Sequence, residues 1–161
     1  MCPARTILSG PEARSAFVRE CRALVGTPYH KQARSDHAVD CVGLLLVAAR
    51  RIGIEIDVPP ATYNASPDPK MLHSLLMQFM RMVSFGDAEY GDLVRTRWTD
   101  GLHGRRDYPA THIGVLADGD DPFSFIHADD LLGRVAEVRF EETEFPVMSV
   151  YRPQIFETPS D

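Results

Sequence analysis

The hydrophobic pattern of the chain changes its period near Gly91, and this change constrains the fold more than any other feature. Before Gly91, apolar residues recur at the three- and four-residue steps of amphipathic helices. After it, short segments alternate between apolar and polar residues, as half-buried strands do. Because the helices come first and the strands follow, the pattern predicts an α+β fold with an antiparallel sheet. A length of 161 residues predicts a single domain over 1–161.

Three helices are predicted in the first half. The first begins at Ser9, which forms a capping box with Glu12, and continues to about residue 25. The second begins at Cys41, and its apolar character nearly all round predicts a helix buried in the middle of the domain. The third covers 70–83, after a proline-rich connection over 57–69.

Short strands are predicted in the second half, at 92–98, 111–117, 122–128, 133–140 and 145–152. The expected architecture is therefore a set of N-terminal helices packed on a C-terminal antiparallel sheet of about five strands.

Charge and hydropathy exclude two classes of protein. The net charge of −6 argues against a general nucleic-acid binder, because neutralising phosphates requires a basic surface. No segment approaches the roughly 18 apolar residues of a membrane span, and none near the first residues resembles a signal-peptide core. A cytoplasmic protein is the resulting expectation.

The chain contains three cysteines, and Cys41 is the one whose position predicts chemistry. Their odd number and wide spacing fit neither a disulfide framework nor a zinc ribbon. Cys21 falls on the buried stripe of the first helix and is predicted to be a core residue. Cys41 stands where a polar loop becomes a buried helix, with Asp40 as its N-cap, and a helix N-terminus stabilises a thiolate. Since the Asp40 carboxylate opposes that effect, a histidine is expected near the sulfur.

Two histidines are predicted to meet on a hairpin. If 118–121 forms the loop between two strands, His112 lies opposite His127, and directly opposed side chains share a face. One imidazole can then transfer protons while the other fixes its tautomer and ring plane. Two other interpretations remain open: exposed strand histidines, or a polar pair with a structural role. A Cys-His-His zinc site is a third, but the spacing matches none of the usual zinc patterns, so no metal is predicted.

Several short motifs together resemble the NlpC family of papain-like cysteine peptidases, which cut bacterial cell-wall peptides. No single motif is specific, but they occur in the family's order over about 22–128. They are Gly26-Thr27-Pro28-Tyr29, Asp40-Cys41-Val42-Gly43-Leu44, Gly91-Asp92-Leu93-Val94, Thr111-His112-Ile113-Gly114-Val115 and Phe125-Ile126-His127-Ala128.

The resemblance implies a papain-like fold, a nucleophile at a helix N-terminus and a mechanism without a cofactor. It implies that Cys41 is the nucleophile, His112 the base and His127 a polar orienter. Tyr29 would lie beside the nucleophile and help to bind the oxyanion. One position departs from the family, which usually has serine after the nucleophile where this chain has Val42.

The resemblance also implies a substrate, the peptidoglycan stem peptide, cut between γ-D-glutamate and a diamino acid. Carboxylates of such a peptide would find partners in the loop before Cys41, at His30, Lys31, Arg34 and His37. A compact chain with this loop most resembles the subgroup that phages and gene transfer agents encode near their tail genes, which makes particle proteins candidate partners and a virion or tail a candidate location.

Two other functions compete with hydrolysis of the cell wall. The same fold can serve as a catalytically silent tail assembly module. The same thioester chemistry can also serve an acyltransferase or amidase that acts on another substrate.

Overall fold

A computed structural model describes residues 8–58, 69–97, 111–142 and 145–157, which form three helices and an antiparallel sheet of six strands. The helices are α1 (Gly10–Ala23), α2 (Cys41–Arg51) and α3 (Pro69–Leu76). The strands are β1 (Met80–Val83), β2 (Leu93–Arg97), β3 (Thr111–Ala117), β4 (Ser124–Asp129), β5 (Arg134–Arg139) and β6 (Val147–Pro153). The predicted α+β architecture is confirmed, with six strands rather than about five.

The sheet is a meander with one strand inserted from the end of the chain. Strands β2 to β5 lie side by side in sequence order, and β6 returns to lie between β1 and β2. Helices α1 and α2 pack on one face, over a core that includes Phe17, Leu44 and Ile113. The opposite face carries a second, smaller apolar cluster: Val94, Leu116, Phe125, Phe140 and Val150.

The structure confirms the predicted buried apolar stripe of the first helix but not its predicted N-cap hydrogen bond. Ala13, Phe17 and Cys21 are buried, as expected. Ser9 is the N-cap residue, yet its side chain makes no capping hydrogen bond. An N-cap side chain accepts from the second or third amide of the helix; the second residue here is Pro11, which has no N–H, and the bond to the third, Glu12, is not formed.

The third helix is shorter than predicted. It ends at Leu76, and the rest of the predicted 70–83 segment contains β1, which pairs with β6 from Met80↔Pro153 to Val83↔Val150. Apolar residues in this segment fit a helical stripe and an edge strand equally well. The predicted connection over 57–69 falls largely on 59–68, outside the described residues, as does Trp98 at the end of a predicted strand.

A buried ion pair joins the start of β2 to β6. Asp92 is fully buried, and its carboxylate accepts from Arg152 Nε at 2.9 Å and from an Arg152 terminal nitrogen at 2.8 Å. The same carboxylate accepts the Glu89 backbone N–H at 2.9 Å. Arg14 of α1 donates to the Tyr90 carbonyl at 2.7 Å, which brings α1 to the same point. The acidic residue of the Gly91-Asp92 motif is therefore structural.

No helix among the described residues is long and apolar enough to cross a membrane.

Candidate active site

Cys41 is the first residue of α2, and Asp40 caps the helix as predicted. The Asp40 carboxylate accepts the Gly43 N–H at 2.6 Å through Oδ1 and the Gln32 N–H at 2.8 Å through Oδ2. One carboxylate thus satisfies an otherwise unpaired helix amide and ties the preceding loop to it. The nucleophile candidate is held at a fixed point between loop and helix.

No side chain fits at position 43, because the loop backbone occupies the space beside Gly43. A Cβ atom at this position would lie 2.0 Å from the Ala33 carbonyl oxygen. The same oxygen accepts the Asp40 N–H at 3.2 Å, so the loop presses directly against the first turn of α2. A glycine two residues after the cysteine is therefore required by this close approach.

The Cys41 sulfur lies against β3, at the backbone of Ile113, the residue after His112. Its side chain is buried, and the backbone N–H of Ile113 donates to Sγ, as do the amides of Val42 and Cys41 itself. Burial first, and the Asp40 carboxylate second, raise the pKa of the Cys41 thiol to about 12 against the opposing effect of the three amides. The helix N-terminus does not outweigh burial, so the free protein carries a thiol.

Cys21 has a different environment. It is fully buried on α1, and burial raises the pKa of its thiol. The prediction that Cys21 is a core residue is confirmed.

The register of the β3–β4 hairpin differs from the predicted one by two residues. Val115 pairs with Ile126 and Ala117 with Ser124, so the loop covers 118–123 rather than 118–121. Pro122 cannot donate to a strand ladder, and β4 begins only after it. A shift of two residues preserves the face of every side chain, so the two histidines still share one face.

The two imidazoles meet as predicted. His112 Nε2 lies 2.9 Å from His127 Nδ1, and the ring planes are nearly perpendicular, at 80°. They reach each other as diagonal neighbours rather than as an opposed pair. Because Nε2 of His112 is engaged by His127, Nδ1 is the atom through which His112 would take a proton from Cys41.

Both histidines are neutral at neutral pH. Burial, and secondarily the charge of His127, lower the pKa of His112 to about 3. Burial also lowers the pKa of His127, while the Asp129 carboxylate partly opposes this. Asp129 is itself fixed, because it accepts the Leu131 N–H at 2.8 Å. The free protein thus holds a neutral thiol at the start of α2 and two neutral imidazoles on β3 and β4.

Tyr29 lies on the loop that precedes the nucleophile. Its backbone N–H donates to the Gly133 carbonyl at 2.8 Å, and it forms a bridge with Val39, two residues before Cys41. The half-buried ring packs against the core that contains Cys41. These contacts fix the loop that leads to the nucleophile, and the role of the Tyr29 hydroxyl in binding the oxyanion stays a prediction.

The four predicted substrate-binding residues have two kinds of surroundings. His30, Lys31 and His37 are exposed on the loop before Cys41. Arg34 is half-buried and donates to the Val58 carbonyl, which lies beyond the far end of α2. Arg34 therefore connects the loop to the segment after α2, and its predicted contact with substrate stays a prediction.

Two aromatic residues beside His127 were missed by the sequence analysis. Phe125 stacks on the His127 ring with centroids 4.9 Å apart, and Phe145 approaches its edge at 5.5 Å. Phe125 precedes His127 by two residues on one strand, so the alternation of faces could have identified it. Phe145 gave no such local signal, because it lies on the segment before β6.

No group of three His, Cys, Asp or Glu side chains within 8–58, 69–97, 111–142 and 145–157 could hold a metal ion.

Solved structures share this architecture, although no protein-family model and no curated protein matches the sequence. NlpC2 from Trichomonas vaginalis is similar with a TM-score of 0.64 at 19% identity, over 91% of this chain and 48% of that one. The NlpC/p60 domain of the peptidoglycan hydrolase SagA gives 0.54 at 19% identity, over 86% and 97%. The peptidoglycan hydrolase RipB from Mycobacterium tuberculosis gives 0.53 at 18% identity, over 87% and 64%. The chain has the NlpC/P60 fold.

This chain spans about half the length of NlpC2. The predicted papain-like fold, with a cysteine at a helix N-terminus, is confirmed. Val42, where the family usually has serine, lines an apolar cavity of about 370 Å³ together with Phe17 and Ile113. The Val42 side chain therefore faces the interior of the protein.

Proposed function

We propose that this protein is a cysteine peptidase that hydrolyses peptidoglycan stem peptides. The observation that carries the proposal is the 2.9 Å contact between His112 and His127 at the point where β3 meets the Cys41 sulfur. A nucleophile, a base and a group that orients the base are the parts that acyl transfer requires. Two structures with the same fold, SagA and RipB, are described as peptidoglycan hydrolases.

The first half of the reaction forms a thioester. Cys41 Sγ attacks the peptide carbonyl while its proton passes to His112 Nδ1, and the carbonyl electron pair moves to oxygen. Because thiol and imidazole are both neutral beforehand, the proton moves as the C–S bond forms. The backbone N–H of Cys41 and the Tyr29 hydroxyl would hold the oxyanion. The C–N bond then breaks, and His112 protonates the leaving amine.

The second half hydrolyses the thioester. Water attacks the acyl carbon and gives its proton to His112, and the sulfur leaves and recovers that proton. In both halves the imidazolium of His112 donates from Nε2 to His127 Nδ1 across the 2.9 Å contact. His127 thus holds the ring plane and stabilises the charge.

We propose the bond between γ-D-glutamate and a diamino acid as the one cleaved, because the resemblance of the motifs to the NlpC family implies it. Exposed cationic side chains on the loop before the nucleophile suit the carboxylates of such a peptide; Lys31 is charged, and His30 and His37 can donate. The same resemblance supports delivery of the protein to the wall by a phage or gene-transfer-agent tail, after synthesis in the cytoplasm.

Mass analysis of muropeptides tests the proposal. We expect wild-type protein to produce new cuts between the second and third stem residues, and Cys41→Ser to produce none. Cys21→Ser is the matched control, since it changes an equally buried free cysteine on α1 and should cleave like wild type. Intact muropeptides after incubation with wild-type protein would favour a silent assembly module or an enzyme for another substrate.

A further inference from the structure

We propose that Phe125 is a positioning residue for the reaction: its ring fixes the plane of His127, and through His127 that of the base His112. Phe145 adds a second ring against His127 and contacts Phe125, and we call Phe125 and Phe145 the aromatic clamp. The inference rests on the proposed function for its kinetic part only, because the ring positions can be measured without a substrate.

The aromatic clamp touches both imidazoles. Phe125 lies nearly parallel to His127, with an interplanar angle of 22° and centroids 4.9 Å apart. Phe145 meets His127 nearly edge-on, at 5.5 Å and 75°. Phe125 also approaches His112 edge-on, at 6.3 Å and 78°. With one ring stacked on its face and another at its side, His127 cannot rotate about χ2 without displacing a phenylalanine.

The position of Phe125 is fixed by its own neighbours. Its side chain is fully buried and contacts the rings of Phe140 and Phe145, each at 5.2 Å. A Cβ atom at Gly114 would lie 2.4 Å from Phe125 Cζ, so the ring needs a glycine on β3. The glycine two residues after His112 thus makes room for the ring that holds His127.

The aromatic clamp also keeps water from the histidine pair. His127 is only 2% exposed, and the fully buried Phe125 ring stacks on one of its faces. A dry environment strengthens the hydrogen bond between the imidazoles and disfavours their protonation before substrate arrives. Loosening this packing should therefore change the acid limb of the pH profile as well as the rate.

Phe125→Leu tests the inference against Phe85→Leu. Both variants delete one ring from the same side of the sheet, but Phe85 contacts the ring of Phe140 and has no ring contact with Phe125, Phe145 or either histidine among the described residues. For Phe125→Leu we expect kcat to fall about 3- to 10-fold with little change in KM, since the stacked pair of Phe125 and His127 is lost. The acid limb of kcat/KM should move toward pH 6.5, whereas Phe85→Leu should keep the wild-type profile.

A second measurement does not depend on activity. Histidine ¹⁵N shifts followed by NMR between pH 5 and 8 should show the His112–His127 pair neutral in wild type and Phe85→Leu, and titrating in Phe125→Leu. Should Phe125→Leu fail to fold, Phe145→Leu removes the half-buried partner and should give a smaller change of the same sign. Identical ¹⁵N titrations in the Phe125, Phe145 and Phe85 variants would overturn the inference. Unchanged muropeptides with altered titrations would overturn only the proposed function.

Discussion

Replacing His112 with alanine should lower kcat/KM for stem-peptide hydrolysis by about 10³- to 10⁴-fold, because the reaction loses its general base and the acid for the leaving amine. The neutral Cys41 thiol makes this loss severe: with its pKa raised to about 12, the sulfur has almost no thiolate to react without a base. Steady-state kinetics on a purified muropeptide would measure the effect.

The companion variants separate the roles of the histidines. His127→Ala removes the orienting group only, so its loss should be smaller than that of His112→Ala. His73→Ala is the control, because His73 is a half-buried histidine that bonds to the Tyr151 hydroxyl at 2.8 Å and has no part in the proposed mechanism. Equal activity in His112→Ala and His73→Ala would rule out His112 as the base.

Replacing Asp92 with alanine should destabilise the fold by about 3–5 kcal/mol, the typical cost of removing one partner of a buried ion pair. The Asp92 side chain is fully buried and bonds to the Arg152 guanidinium. The variant therefore leaves a buried cation without its carboxylate. Urea unfolding followed by circular dichroism would measure the change in the free energy of unfolding.

Glu157→Ala provides the matched control for the ion pair. Glu157 also accepts hydrogen bonds from an arginine, Arg81, but at the surface, where water screens the pair and its contribution to stability is small. Adding Arg152→Met to Asp92→Ala should recover part of the stability, because it removes the uncompensated charge. A loss from Asp92→Ala no larger than that from Glu157→Ala would contradict the structural role of Asp92.

The parts of the site that are encoded locally were predictable from the sequence. Asp40 and Cys41 mark a helix start by composition alone, and the structure places both as expected. The meeting of His112 and His127 was predicted with the wrong register. The predicted contact between the two side chains was still correct, because side chains alternate along a strand with a period of two and the error in register was also two residues.

Features that depend on distant segments were not predictable. Strand β1 exists because β6, about 70 residues later, provides its partner, and the local pattern of β1 fitted a helix equally well. The protonation of Cys41 depends on burial beneath β3, which outweighs the helix N-terminus. Likewise, Arg34 is engaged by the carbonyl of Val58, which the loop sequence could not reveal.

Trapping of the acyl-enzyme by hydroxylamine tests the central claim most directly. A thioester on Cys41 would partition between water and hydroxylamine, so muropeptide cleavage in its presence should yield a hydroxamate at the newly freed acyl group, rising with hydroxylamine concentration. Mass spectrometry distinguishes this product from the free acid, and Cys41→Ser should yield neither. Cleavage that gives only the free acid at every hydroxylamine concentration would show direct attack by water and contradict nucleophilic catalysis by Cys41.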